Sequence, residues 1–195
     1  DWLSGGDGDD IFAVSGNSLQ LDFGPGGFVS GGAGYDRLVN TGWTDIAMNG
    51  FSGTAQGIES IYGNGYGING SDDANTFDFG ATYLEAVTFV DGLGGDDILY
   101  VPTFVTDTVP FYGGSGNDIL YGSPNNDVLS GGPGVDWLYG GLGDDRYVYT
   151  PGWGQDFIPV DDGGNDTLDF SAVVENLHFS ICNIVGGSCD PSQLN

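Results

Sequence analysis

Residues 113–148 read GGSGNDILY, GSPNNDVLS, GGPGVDWLY and GGLGDDRYV, four nine-residue units joined without a gap. Asp118, Asp127, Asp136 and Asp145 therefore recur at a spacing of nine. Each unit divides into six turn-forming residues, Gly-Gly-x-Gly-x-Asp in three of the four and Gly-Ser-Pro-Asn-Asn-Asp in the second, and three residues with a large apolar one at the centre: Leu120, Leu129, Leu138 and Tyr147. Three residues make a short strand whose central side chain points to one face and whose flanks point to the other. Two units complete one coil, so like turns stack every 18 residues, as from Asp118 to Asp136. The rise per coil is then the strand spacing of about 4.7–4.9 Å. The predicted fold is all-β, a parallel β-roll or β-solenoid, with the four central side chains filling a thin core between two sheets.

Glycine at positions one, two and four opens backbone angles closed to other residues and turns carbonyls into the gap between stacked turns. Asn125 replaces the third glycine of the second unit and is expected to take the left-handed conformation there, which Asn enters more readily than most residues.

Looser copies extend the pattern both ways. GGDGDDIF ends its turn on Asp10, GGAGYDRL on Asp36 and GLGGDDIL on Asp97; after the block, PGWGQDFI ends on Asp156 and DDGGNDTL on Asp166. GSDDANTF carries Asn75 where Asp is expected, and Asp1-Trp2-Leu3-Ser4 reads as the tail of a truncated unit. Leu21-Asp22-Phe23, Phe77-Asp78-Phe79 and Leu168-Asp169-Phe170 alternate apolar, acidic, apolar, as strands do, with the Asp expected outward. Tyr83 to Val90 reads as a strand from its Val, Thr and Phe content. The expected organisation is N-terminal repeats over 1–40, irregular Gly-rich rungs or an insertion over 41–90, the main roll over 91–175, and a C-terminal strand with a disulfide turn over 176–195. Cys182 and Cys189 bracket Gly186-Gly187, which suits a disulfide and, with it, an oxidising compartment.

The net charge is −26: 28 residues are acidic, 25 of them Asp, and Arg37 and Arg146 are the whole basic complement. Salt bridges cannot neutralise that charge, so other cations must. Such a surface disfavours nucleic acid and anionic membranes as partners, and no apolar run is long enough to span a bilayer. A composition of 39% hydrophobic and 13% aromatic residues is too rich for a disordered tail.

The nonapeptide G-G-x-G-x-D-x-U-x, with U large and apolar, resembles the repeat of the RTX, or hemolysin-type, calcium-binding proteins. The resemblance covers about 90–175 strongly and 1–40 moderately. It implies several Ca²⁺ ions, each held between turns two units apart by the sixth-position Asp of both and by backbone carbonyls. Carried over here, the metal residues are Asp10, Asp36, Asp97, Asp118, Asp127, Asp136, Asp145, Asp156 and Asp166. Asp118 pairs with Asp136, Asp127 with Asp145, Asp136 with Asp156 and Asp145 with Asp166, while Asp97 stacks on Asp118. The resemblance also implies secretion from a bacterium, to the outside or the cell surface, with folding on calcium.

Three functions compete. The first is an extracellular calcium-dependent structural, adhesive or secretion-associated module. The second is the repeat region of a secreted protease, lipase or polysaccharide-modifying enzyme, itself non-catalytic: His178 is the single histidine, and no Ser has the surroundings of a nucleophile. The third is recognition of carbohydrate by Trp43, Trp153, Tyr62, Tyr66 or Tyr112, although packing is the simpler role for such rings. On the outer face of one sheet Ile119 should stand beside Trp137 and Tyr121 beside Tyr139. That apolar face invites cover by the 37–90 region, by copies of the chain or by a larger extracellular assembly.

Overall fold

The three-residue strands fall where the nonapeptide places them. Ile119–Tyr121 pairs in parallel with Trp137–Tyr139, Leu120 opposite Leu138, and Val128–Ser130 pairs with Arg146–Val148, Leu129 opposite Tyr147. In the computed structural model, which describes residues 3–15, 20–22, 29–104, 108–159 and 163–174, these strands belong to two sheets of a parallel solenoid. The shorter sheet contains Phe51–Ser52, Thr76–Asp78, Ile98–Tyr100, Ile119–Tyr121 and Trp137–Tyr139. The longer one runs from Ile11–Val14 to Thr167–Asp169. Leu120, Leu129, Leu138 and Tyr147 are buried between them, as the alternation requires. Asp1, Trp2, His178, Cys182 and Cys189 lie outside the described residues.

The coils are not equal in girth. Equivalent turn residues are 26, 23, 22 and 21 apart from the N-terminal end inward, and 18 apart only in the contiguous block. The wider coils gain an extra strand face. Ser60–Ser71 pairs first with Arg37–Asn40 and then with Ile46–Asn49, turning a corner at Asn64 and Gly65, both with positive φ. Tyr83–Leu93 follows it, with the corresponding irregularity at Ala86, φ 51°. A single helical turn, Gly53–Gln56, ends at Gly57 in the left-handed conformation. Residues 37–90 thus stack in line with the repeats and do not lie over their outer face.

Girth decides the core. Leu38, Met48, Ile61, Ile68, Phe77, Phe79, Val90, Leu99 and Phe111 are fully buried. Phe79 stacks with Phe51 at 5.1 Å and Phe77 at 5.9 Å, and meets Phe111 edge-on at 6.0 Å. An 18-residue coil of the contiguous block has instead two inward residues, such as Leu129 and Leu138. At the C-terminal end Leu168 pairs with Tyr147 and so shares its inward face, but it stays 48% exposed because it sits on the last described rung of its sheet.

One local expectation needs correction, and one alternative is decided. Asn125 does not adopt positive φ; its side chain donates instead to the Thr103 carbonyl (3.0 Å) and to Ser123 Oγ (3.2 Å), which fixes the turn without left-handed backbone. Trp153 is a packing residue, edge-on to Tyr149 at 5.1 Å and to Phe170 at 5.7 Å. Trp43 is the one of the five aromatics that stands well out, at 85% exposure.

Because apolar burial is concentrated in the wide coils, amides of 60–71 and 83–93 should exchange more slowly than those of 119–148 when calcium is chelated. Hydrogen exchange read by mass spectrometry checks this; equal protection across both regions would contradict it.

Candidate metal sites

The sixth residue of each turn is locked by the coil beneath it. Its carboxylate Oδ1 accepts the backbone N–H of the sixth residue one coil earlier: Asp10 N–H donates to Asp36, Asp97 to Asp118, Asp118 to Asp136, Asp127 to Asp145 and Asp145 to Asp166, each at 2.8 Å. Asp136 N–H donates likewise to Asp156. These are the pairs read from the sequence, together with a partner for Asp10 that the spacing of 26 concealed.

One oxygen of each carboxylate is thereby used. The second is left over: Oδ2 of Asp10, Asp36, Asp97, Asp118 and Asp136, and Oδ1 of Asp156, are buried without a hydrogen-bond partner. A buried, unpaired carboxylate oxygen is costly unless something positive meets it. The space beside it is kept open by the first glycine of the turn. A Cβ on Gly113 would press on Asp118 Oδ2 and stand 2.7 Å from the Gly131 carbonyl oxygen. On Gly5 it would press on Asp10 Oδ2 and stand 2.6 Å from the Gly31 carbonyl. Each such space is lined by a carboxylate oxygen from one coil and a carbonyl from the next, an all-oxygen donor set that suits a hard cation such as Ca²⁺. No group of three or more His, Cys, Asp or Glu gathers among the described residues, so carbonyls must complete any such cage.

The sites form columns at two corners. One carries Asn75, Asp97, Asp118, Asp136 and Asp156, and begins in amides: Asn75 Nδ2 donates to Asn49 Oδ1 at 3.0 Å, and Asn75 Oδ1 accepts the Ser71 N–H at 2.8 Å. There hydrogen bonds stand in for charge. The other corner carries Asp10, Asp36 and Glu59 toward the N-terminus, and Asp127, Asp145 and Asp166 toward the C-terminus. Between them hydroxyls serve: Thr82 Oγ1 donates to the Ile58 carbonyl at 3.2 Å and Thr103 Oγ1 to the Gly80 carbonyl at 2.9 Å. Asp127, at the start of its run, differs from the rest, since its oxygens accept Ser123 N–H at 2.6 Å and Ser123 Oγ at 3.3 Å.

Two roles were not read from the sequence. The fifth residue of the turn bonds in the opposite sense to the sixth. Asp9 accepts the Tyr35 N–H, Asp96 the Asn117 N–H, Asn126 the Asp144 N–H and Asp144 the Asn165 N–H at 2.8 Å, and Asn117 the Val135 N–H at 3.1 Å. The recurrence of Asn and Asp at that position was the available signal. Strand-end Asp residues do more than face solvent: Asp78, Asp91 and Asp169 accept the N–H two residues on, from Gly80, Leu93 and Ser171 at 3.0, 2.9 and 2.8 Å.

Stacking carboxylates in a dry corner raises their proton affinity. Burial, with the charges of Asp136, Asp97 and Asp96, pushes Asp118 up to about 7. Burial and the charges of Asp91 and Asp96 push Asp97 up to about 6, and burial with the charge of Asp136 pushes Asp156 up to about 8. Burial raises Asp136 and Asp127 as well. Neither arginine relieves this: Arg37 pairs with Glu85 at 2.8 Å, and Arg146 pairs with Asp169.

Among protein-family models, the RTX calcium-binding nonapeptide repeat matches in four copies, over residues 1–16 and 112–147. No curated protein and no solved structure matches the chain. The matched segments hold the Asp10 turn and the contiguous units, so the chain carries RTX calcium-binding nonapeptide repeats there, and their coils stack in parallel with like turns in register, as a β-roll requires.

Proposed function

We propose that this chain is an extracellular, calcium-dependent structural, adhesive or secretion-associated module that becomes ordered when calcium binds. The observation that carries this reading is the set of buried carboxylate oxygens without a partner, repeated coil after coil beside a space that the first glycine keeps open. In this reading Asp10, Asp36, Asp97, Asp118, Asp127, Asp136, Asp145, Asp156 and Asp166 supply carboxylates, in the stacked pairs described above, and the first-glycine carbonyls supply the remaining protein oxygens. Bound calcium supplies positive charge to corners that hold no basic side chain. The protein's own residues do the rest: sixth-position carboxylates clamp the coil before them, and fifth-position side chains clamp the coil after. No catalytic role is assigned to any residue.

The reading suits a protein made where calcium is scarce and used where it is plentiful, as RTX repeats in secreted bacterial proteins are. No helix among the described residues is long and apolar enough to cross a membrane.

Calcium titration followed by circular dichroism is the direct test. Millimolar calcium should increase β-structure and raise the thermal midpoint, and magnesium should substitute poorly because it demands near-octahedral geometry. Unchanged spectra and midpoints in calcium and in chelator would sink the proposal.

Substitution separates the carboxylates. Asp136→Asn removes a charge shared by the junctions to Asp118 and Asp156, and should raise the calcium concentration at the folding midpoint on the order of 10- to 100-fold, the loss found even for residues that only orient a ligand. Asp91→Asn, a strand-end cap outside the columns, should change it less than about threefold. Equal effects would contradict the assignment.

The raised carboxylates fix the sign of the pH dependence. In calcium-free protein their folded proton affinity exceeds the unfolded one, so they favour the fold at low pH and that stability is lost as pH rises through about 6 to 8. Thermal midpoints in calcium-stripped buffer should therefore fall between pH 5 and pH 8. Calcium binding near pH 6.5 should release protons, because ligation requires the ionised form. A midpoint that rises with pH in the absence of calcium would refute the electrostatic account.

A further inference from the structure

Outside the nonapeptide pattern, the turn at 31–36 stacks on a segment of unrelated sequence, Gly53-Thr54-Ala55-Gln56-Gly57-Ile58-Glu59. In the repeats two atoms complete each space from the following coil: the first-glycine carbonyl and the sixth-position carboxylate, five residues apart. Here both are present by another route. A Cβ on Gly31 would press on Asp36 Oδ2 and on the Gly57 carbonyl oxygen. Asp36 N–H donates to Glu59 Oε2 at 2.7 Å, as other sixth-position N–H groups donate to Asp.

Gly57 and Glu59 are only two positions apart. The helical turn Gly53–Gln56 and the left-handed Gly57, φ 60°, bring the carbonyl to the place that a repeat's first glycine would hold. A side chain one methylene longer than Asp then reaches back to the same N–H. Asp36 is fully buried and its Oδ2 has no hydrogen-bond partner. The adjacent cation, Arg37, is engaged by Glu85. One coil further on the corner becomes neutral at Thr82, whose hydroxyl donates to the Ile58 carbonyl.

We infer that a calcium ion is held between the 31–36 turn and the 53–59 segment by Asp36, Glu59 and the Gly57 carbonyl, in a site built from a non-repeat sequence. The inference rests on the calcium reading above. Its role is to couple the wide, apolar coils to the N-terminal repeats, since it is the junction at which one gives way to the other.

The test counts ions on the whole chain by native mass spectrometry and equilibrium dialysis in saturating calcium. Glu59→Gln keeps an acceptor for the Asp36 N–H and removes the charge. It should bind one ion fewer than the wild type, or bind that ion at least tenfold more weakly, with hydrogen-exchange protection of 113–148 in calcium unchanged. Gly31→Ala, whose methyl group fills the same space, should lose the same ion and decides the matter where Glu59→Gln unfolds. Wild-type stoichiometry and affinity in a folded Glu59→Gln, or in Gly31→Ala, overturn the inference and leave the calcium reading standing. A wild type that binds no calcium overturns both.

Discussion

Like charge stacked in a dry place is the constraint on which this solenoid rests. Parallel coils repeat at the strand spacing, so a residue that recurs once per coil meets its own kind one rise away. For tyrosine this is favourable, and Tyr100, Tyr121 and Tyr139 stack at 4.8 and 4.9 Å. For aspartate it is not. Asp118 and Asp136 are fully buried with an oxygen each unpaired, and the two arginines are committed on the outside. The glycine at position one follows from this, since any side chain there would occupy the space that a compensating cation needs.

The molecule meets the same corner problem in three chemical ways. The contiguous block uses carboxylates and leaves charge to be neutralised from solution. Asn49 and Asn75 use amides, which bond to each other and to Ser71 and need no ion. Thr82 and Thr103 use hydroxyls donated to carbonyls of the coil before. The neutral corners coincide with the coils of heaviest apolar burial. An 18-residue coil has room for two inward side chains and leans on its turns, whereas a coil with a third face buries enough to be held by its core. Apolar burial and corner chemistry therefore vary together.

Sequence reading succeeded where the period was constant and faded where it was not. Nine-residue spacing gave the strands, the inward Leu120, Leu129, Leu138 and Tyr147, and the pairing of Asp118 with Asp136 and Asp127 with Asp145. It could not give the stacking of Asp10 on Asp36, because an insertion in a loop changes spacing without changing which turns meet. Glu59 escaped for a related reason: the segment before it lacks the Gly-Gly-x-Gly frame, and its equivalence to Asp36 exists only in the register of Arg37 with Ser60. Asn125 was misread from a propensity for left-handed backbone, when a side-chain bond to Thr103 one coil earlier settles the turn. Local preference yields there to a contact that no single unit contains.

Neutralising charge does not by itself choose which turn stacks on which, because a cation binds any pair of carboxylates it can reach. That selection comes from the two opposed ladders. At the junction of the 113–118 and 131–136 turns, Asp118 N–H donates forward to Asp136 while Val135 N–H donates back to Asn117. Shifting one turn by a residue would break both bonds, bury the freed N–H groups, and move Leu138 out of the core. The same crossed pair joins Asp9, Asp10, Tyr35 and Asp36 across a 26-residue coil. Register is thus written in hydrogen bonds that are independent of coil length, which is how insertions of several residues are absorbed while the carboxylates stay in column.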